Sequence, residues 1–298
     1  MTSRTRSRVP ACAGWSSLLR CVSLFALLFV LLPASARAEI LAGLQQATLP
    51  APPLSVTALR TTNGRLLAFS DTAVLAWSPT AKRWQTVVLP DGATARDGWQ
   101  NASIDRLYRL PIATDGGAQM LEAVDLAGER LSLRALPALP VTLHGVRLAE
   151  HAGTLYVAGL DAAGQPHLLR RTVAQATSAW EPMAPWPGAA AAGTLVAQRG
   201  ELIVTTPAPS RDALWRWSAD AGWQALDPVP GNVLAAEAAR ATGQAHVLYA
   251  LQSAGGASRL ATFHTITRAW ADLPGPEQGV PTTLTAWGTG FAGWNAQE

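Results

Sequence analysis

Arg83-Trp84-Gln85-Thr86-Val87-Val88-Leu89-Pro90 decides the reading of this chain. Taken alone it is one strand, rich in β-branched residues and stopped by a proline that cannot continue a ladder. Its weight comes from recurrence. Ala179-Trp180-Glu181 stands before Pro185, Gly222-Trp223-Gln224 before Pro228, and Ala269-Trp270-Ala271 before Leu273-Pro274. From Trp84 to Trp180 is 96 residues, two units of 48, and the next gaps are 43 and 47. The intermediate unit lies at Leu131-Ser132-Leu133 before Leu136-Pro137, with leucine in place of tryptophan. A period in the forties is the range of propeller blades.

A second mark keeps the same period. Tight turns separate short apolar stretches at Asn63-Gly64, Ala152-Gly153, Arg199-Gly200, Thr242-Gly243 and Gly288-Thr289-Gly290. Asn-Gly is a strong two-residue hairpin signal. From Gly153 the glycine spacings are 47, 43 and 47. Within the first unit Ser55–Arg60, Arg65–Ser70, Ala73–Trp77 and Trp84–Leu89 predict an up-and-down meander of four strands, the design of one blade. No long amphipathic helix competes. Full units are expected at 52–98, 99–140, 141–187, 188–230 and 231–277. Residues 278–298 supply two further strands, and Ile40–Leu49 reads as a closing strand ending in Leu49-Pro50. The expected fold is therefore all-β: a six-bladed propeller whose last blade is closed by strands from both ends of the chain. A sandwich of irregular strands is the structural alternative.

The N-terminus has a different character. Arg4, Arg6, Arg8 and Arg20 precede an apolar run of 12 residues, Cys21 to Leu32. At about 1.5 Å per residue that run is short for a ~30 Å hydrocarbon core. Pro33 and Ala34-Ser35-Ala36-Arg37-Ala38 follow, an A-x-A exit. Residues 1–38 are expected to be a signal peptide and 39–298 one propeller domain, periplasmic or secreted; an uncleaved anchor is the alternative. Arg20 directly before Cys21 argues against a lipoprotein.

Cleavage changes the charge. The 298 residues carry +3, but residues 1–38 hold five arginines and no acid. The remainder has 18 basic and 20 acidic residues, with Lys82 its one lysine. Nucleic-acid binding loses its electrostatic basis. Both cysteines, Cys12 and Cys21, leave too, so the mature chain has no thiolate or disulfide. Its stability must come from a core, which a chain of about 260 residues is long enough to build.

Trp84, Trp180, Trp223 and Trp270 recur once per unit and are expected to pack between sheets. Trp186, Trp215, Trp217, Trp287 and Trp294 fall outside that register. Trp215 and Trp217 alternate on one strand and share a face.

Gly153-Thr154-Leu155-Tyr156-Val157-Ala158-Gly159, and the approaches Ser78–Trp84 and His264–Trp270, resemble kelch propellers, although the family's glycine doublet is mostly absent, as at Gly159-Leu160. Ala95-Arg96-Asp97, then Ala102-Ser103-Ile104-Asp105 and Leu107-Tyr108, is similar to a segment of the cyclically permuted mutarotases, a family that includes sialic acid mutarotase (N-acetylneuraminate epimerase). Leu143-His144-Gly145 resembles their channel-facing histidine strand. Ala184-Pro185-Trp186, Leu202-Ile203-Val204 and Arg211-Asp212-Ala213-Leu214 resemble the stretch around their catalytic arginine.

That resemblance implies a catalytic Arg211 and a sugar site lined by Arg96, Asp97, His144 and Trp186. Anomer exchange needs one group to take the anomeric hydroxyl proton and another to protonate the ring oxygen. The family implies an acid–base glutamate a few residues before the arginine. Thr205-Thr206-Pro207-Ala208-Pro209-Ser210 holds no carboxylate. Arginine can grip a sugar carboxylate but is a poor proton donor. Asp212 follows Arg211 on the strand and should point the other way.

The five histidines show no metal-ligand spacing, so neither metal nor cofactor is expected. The copper site of galactose oxidase, another kelch relative, needs a cysteine that the mature chain lacks. Asn101-Ala102-Ser103 fits a glycosylation sequon. Two functions stand. One is an exported propeller binding a sugar, an acidic one by its arginines, with mutarotation as its reaction. The other is a non-catalytic propeller that binds a ligand or an envelope protein.

Overall fold

In the computed structural model the chain divides into two compact units, Met1–Gln46 and Ala47–Glu298. The structure describes residues 48–111, 118–175, 177–187, 190–207, 212–227, 229, 231–238, 247–254, 257–273, 281, 283–287 and 290–294. The expected signal peptide, nearly all of the strand at Ile40–Leu49 and the turn at Thr242-Gly243 lie outside them. The strands described all belong to the second unit.

Among the described residues there are 22 strands in six sheets, five of four strands and one of two. The first sheet is β1 (Ala58–Thr62), β2 (Arg65–Phe69), β3 (Val74–Ser78) and β4 (Arg83–Thr86). The second is β5 (Gly98–Ser103), β6 (Arg106–Leu110), β7 (Glu122–Ala127) and β8 (Arg130–Ala135). The third is β9 (His144–His151), β10 (Thr154–Leu160), β11 (Pro166–Thr172) and β12 (Glu181–Met183). The fourth is β13 (Thr194–Gln198), β14 (Glu201–Thr206), β15 (Ala213–Ser218) and β16 (Gly222–Leu226). The fifth is β17 (Asn232–Ala238), β18 (Val247–Ala254), β19 (Ala257–His264) and β20 (Ala269–Asp272). The last is β21 (Thr283–Trp287) and β22 (Gly290–Trp294).

Every sheet is an antiparallel meander in sequence order. The first strand of each neighbours the first strand of the next: β1 with β5, β5 with β9, β9 with β13, β13 with β17, β17 with β21, and β21 with β1 again. Sheets arranged radially with their first strands innermost make a β-propeller.

The sequence forms blades because each sheet is covered on both faces. In Arg65-Leu66-Leu67-Ala68-Phe69, Leu67 and Phe69 pack toward Trp99 and Leu107 of the second sheet, while Leu66 and Ala68 pack toward Ala292 of the last. Alternation within a continuous apolar run thus serves two cores at once. The hairpins turn where a left-handed pair is available. Asn63 and Gly64 have φ of 49° and 72°, Ala152 and Gly153 49° and 76°, and Arg199 and Gly200 47° and 76°. Two successive positive φ values match the right-handed twist of the flanking strands. β1 runs two residues further toward this turn than the expected strand.

In three blades the recurring tryptophan is tied to the proline-containing exit of the blade before it, while the buried Trp270 Nε1 has no such bond among the described residues. Trp180 Nε1 donates to Pro137 O at 2.9 Å, the exit of the preceding blade. Trp84 Nε1 reaches Pro50 O at 2.7 Å, and Trp223 Nε1 reaches Ala184 O, just before Pro185, at 2.8 Å. A proline at the exit has no N–H and stops the strand, which leaves a carbonyl free to accept. Each indole packs against a core between sheets: Trp84, Trp180, Trp223 and Trp270 all belong to such clusters. In the second blade Leu131, 2% exposed, takes the packing role without the bond.

Between the second and third blades, Tyr108 is 1% exposed and donates its hydroxyl to Glu150 Oε2 at 2.7 Å. Burial, then the Glu150 charge, push its phenol above the ordinary value of 10.0. The folded protein therefore holds this proton where the unfolded chain releases it. Stability is full below pH about 10 and falls by about 1.4 kcal/mol per pH unit above it. Tyr108→Phe is expected to flatten that alkaline decline in urea titrations at pH 9 to 11, even though it weakens the fold at neutral pH.

Candidate functional site

The innermost strands begin at Ala58, Gly98, His144, Thr194, Asn232 and Thr283. In a propeller these starts share one end of the central channel. Near that end three side chains bridge consecutive blades in the same way. Arg60 Nε donates to Trp99 O at 2.7 Å, Gln100 Nε2 to Val146 O at 2.9 Å, and Arg147 Nε to Gly193 O at 2.7 Å. Both arginines also fold back onto the carbonyl preceding them: Arg60 Nη1 to Leu59 O at 2.7 Å, Arg147 Nη1 to Val146 O at 3.0 Å. Each side chain comes from the innermost strand, where the channel is narrowest and neighbouring backbones approach.

His144 opens β9 and is exposed. Plain alternation would put His144 and Arg147 on opposite faces. The pairing prevents this: His144 stands opposite Leu160 and Arg147 opposite Ala158, with a register shift between them. Three steps on β9 face two on β10, so both side chains emerge on one face. Gly145, at φ +60°, supplies the left-handed residue that such a bulge needs.

The other expected site residues are placed differently. Arg96 is exposed and lies 3.9 Å from an equally exposed Asp71. Asp97 is enclosed. Its Oδ2 accepts from Arg109 Nε at 2.6 Å and from Thr94 N at 2.8 Å. Arg109 in turn holds Glu122 Oε2 and Gly92 O, each at 2.7 Å. Asp97 thus secures the loop that enters the second blade. Trp186 is 1% exposed within the core between the third and fourth blades, its Nε1 donating to Ala190 O at 3.0 Å. No face of that indole is open. Arg211 lies outside the described residues.

Asp212 is 3% exposed, and its Oδ2 accepts from Val233 N at 2.7 Å. The amide of Asn101 is engaged at both ends, Nδ2 donating to Thr61 O at 2.6 Å and Oδ1 accepting from Thr61 N at 2.9 Å. That strand-bound amide is poorly placed to carry a glycan. Among the described residues no group of three or more His, Cys, Asp or Glu side chains is placed to hold a metal ion.

Arg60, Gln100 and Arg147 are the residues that sequence reading missed. Their signal was faint: one long polar side chain near the start of an innermost strand, repeated in three consecutive units.

No family model matches the chain, and no curated protein matches it. Solved structures do match. One titled "Structure of YjhT" superposes with a TM-score of 0.54 at 11% sequence identity, covering 77% of this chain and 88% of that one. At this identity the likeness is one of fold, and it agrees with the propeller built from the strand order.

Proposed function

We propose that this chain is an exported kelch-like propeller whose channel binds a carbohydrate, with sialic acid-type sugars as first candidates and anomer exchange as the reaction. The observation that carries the reading is exposed His144 on the same face as Arg147 at the start of an innermost strand. His144 is also the residue that the mutarotase resemblance puts in the channel. Arg211, from the same resemblance, completes the proposed site as its catalytic residue. The ring is read as six blades, the last completed by the strand expected at Ile40–Leu49. Trp84 holding Pro50 O, as Trp180 holds Pro137 O, supports that reading.

The second reading is a propeller that binds without turnover, a sugar or an envelope protein. It draws support from the buried Asp212, whose carboxylate is occupied by Val233 N, and from Thr205 and Thr206, where the family implies an acid nearby. Enclosed groups of this kind do not exchange protons with a sugar in the channel.

Anomeric exchange followed by NMR separates the two. Acceleration of N-acetylneuraminate exchange that disappears in Arg211→Ala establishes the enzyme. Binding without acceleration establishes the second reading. A chain that neither binds nor accelerates any of several acidic and neutral sugars is not a sugar propeller.

A further inference from the structure

The corner between β1 and β2 is fastened to the second blade at several points. Asn63 Nδ2 donates to Asp125 Oδ1 and, at 3.3 Å, to Leu126 O. Gly64 N donates to Asp105 Oδ1 at 3.1 Å, and Arg65 Nη1 to Gly128 O at 2.7 Å. From the last sheet, Trp287 Nε1 reaches Gly64 O at 3.1 Å. The corners at Ala152-Gly153 and Arg199-Gly200 take the same left-handed conformation with no side-chain amide. The turn therefore does not need asparagine, whereas the clamp does.

Asn63-Gly64 is also a reactive pair. An asparagine side chain followed by glycine closes a cyclic imide through the glycine nitrogen more readily than before any other residue, because no Cβ obstructs the ring. Of the chain's four asparagines only Asn63 precedes glycine; Ala102, Val233 and Ala296 follow the others.

We propose that Asn63 is a modification site, where attack by Gly64 N expels the side-chain amide nitrogen, and that the carboxylate so formed releases the first blade's hairpin from the second blade.

Three observations favour the reaction at this place. Asn63 and Gly64 are exposed, so water reaches the imide. A Cβ on Gly64 would have nothing within 4 Å, which leaves room for the ring. Asp105 Oδ1, already accepting from Gly64 N, stands where the attacking nitrogen must deliver its proton, within the reach of a general base. Water is the one co-reactant. A bond forms between Gly64 N and Asn63 Cγ while the Gly64 proton passes to Asp105. The Cγ–Nδ2 bond then breaks, and the nitrogen leaves as ammonia with that proton. Water opens the imide at either carbonyl, giving an aspartyl or an isoaspartyl residue.

Neither product holds the clamp. A carboxylate has no N–H to offer Asp125 or Leu126 O, and it adds a negative charge beside Asp105 and Asp125.

Trypsin and mass spectrometry read the reaction on the full chain. Cleavage after Arg60 and Arg65 releases Thr61–Arg65 from protein incubated folded in mildly alkaline buffer. This peptide is expected to turn acid, as separate aspartyl and isoaspartyl forms, while the peptides holding Asn101 and Asn232 keep their amides. Asp105→Asn should slow the loss at least about tenfold. The acid fraction, separated by ion exchange, is expected to unfold at a lower urea concentration than the unreacted fraction. Asn63→Asp should unfold below Asn63→Ala, which removes the donor without adding charge. A Thr61–Arg65 peptide that keeps its amide as long as the other two overturns the site. So does amide loss confined to urea-unfolded chain, or an unchanged rate in Asp105→Asn. An acid fraction as stable as the unreacted one overturns the release.

Discussion

Arg109→Met is expected to lower the free energy of unfolding by about 3–5 kcal/mol. Arg109 is 7% exposed and serves three acceptors, Asp97 Oδ2, Glu122 Oε2 and Gly92 O. Glu122 stands directly across from it on β7. Removing the guanidinium leaves the Asp97 and Glu122 carboxylates facing each other in a largely enclosed space with no cation between them. Methionine fills much of the volume, so the loss reports charge and not a cavity. Urea unfolding at neutral pH measures it. A triple variant that also carries Asp97→Asn and Glu122→Gln should recover a large part of the loss, because the uncompensated charges are then gone. Should Arg109→Met unfold at the wild-type urea concentration, the enclosed triad contributes nothing to stability.

Trp186→Ala is expected to cost a similar amount, about 3–5 kcal/mol, by a different route. The indole is the largest fully buried side chain and lies among Ala149, Leu168 and Leu202. Truncation opens a cavity at the joint between the third and fourth blades and orphans Ala190 O. Trp186→Phe should lose less, since most of the packing remains. The measurement is again the urea midpoint, with the slope unchanged. A residue that merely lined a sugar site would give the opposite pattern, weaker sugar binding at unaltered stability.

The sequence made the fold legible because a propeller repeats its physics. Each blade must bury both faces, turn three times and leave for the next, so Trp84, Trp180, Trp223 and Trp270 recur with their exits. Asn63-Gly64 and Arg199-Gly200 recur as left-handed corners. The site repeats only in part and was correspondingly harder to read. Arg60 and Arg147 each donate two hydrogen bonds to backbone carbonyls, yet no motif surrounds an arginine that binds backbone. The bulge at Gly145 also breaks the alternation by which faces are counted, so His144 and Arg147 look unrelated on paper. Asp97 and Trp186 show another contrast: their neighbours in sequence resemble a ligand site, while their neighbours in space are Arg109 and a core.

The tryptophan bonds also bear on the order in which the chain assembles. Trp84, Trp180 and Trp223 each find their acceptor upstream, between 34 and 43 residues back. A chain emerging N-terminus first can fasten each blade as soon as it is made, because the carbonyl is already waiting. Trp287 differs: its Nε1 donates to Gly64 O at 3.1 Å, across 223 residues. Contacts of that span carry the largest loop-closure entropy and form late. By that argument the seam between β21 and β1 is expected to close last, which a Trp287→Phe variant with an unchanged folding rate would contradict. Until the seam shuts, Leu66 and Ala68 of the first blade lack their cover from the last sheet, a window in which copies of the chain can associate.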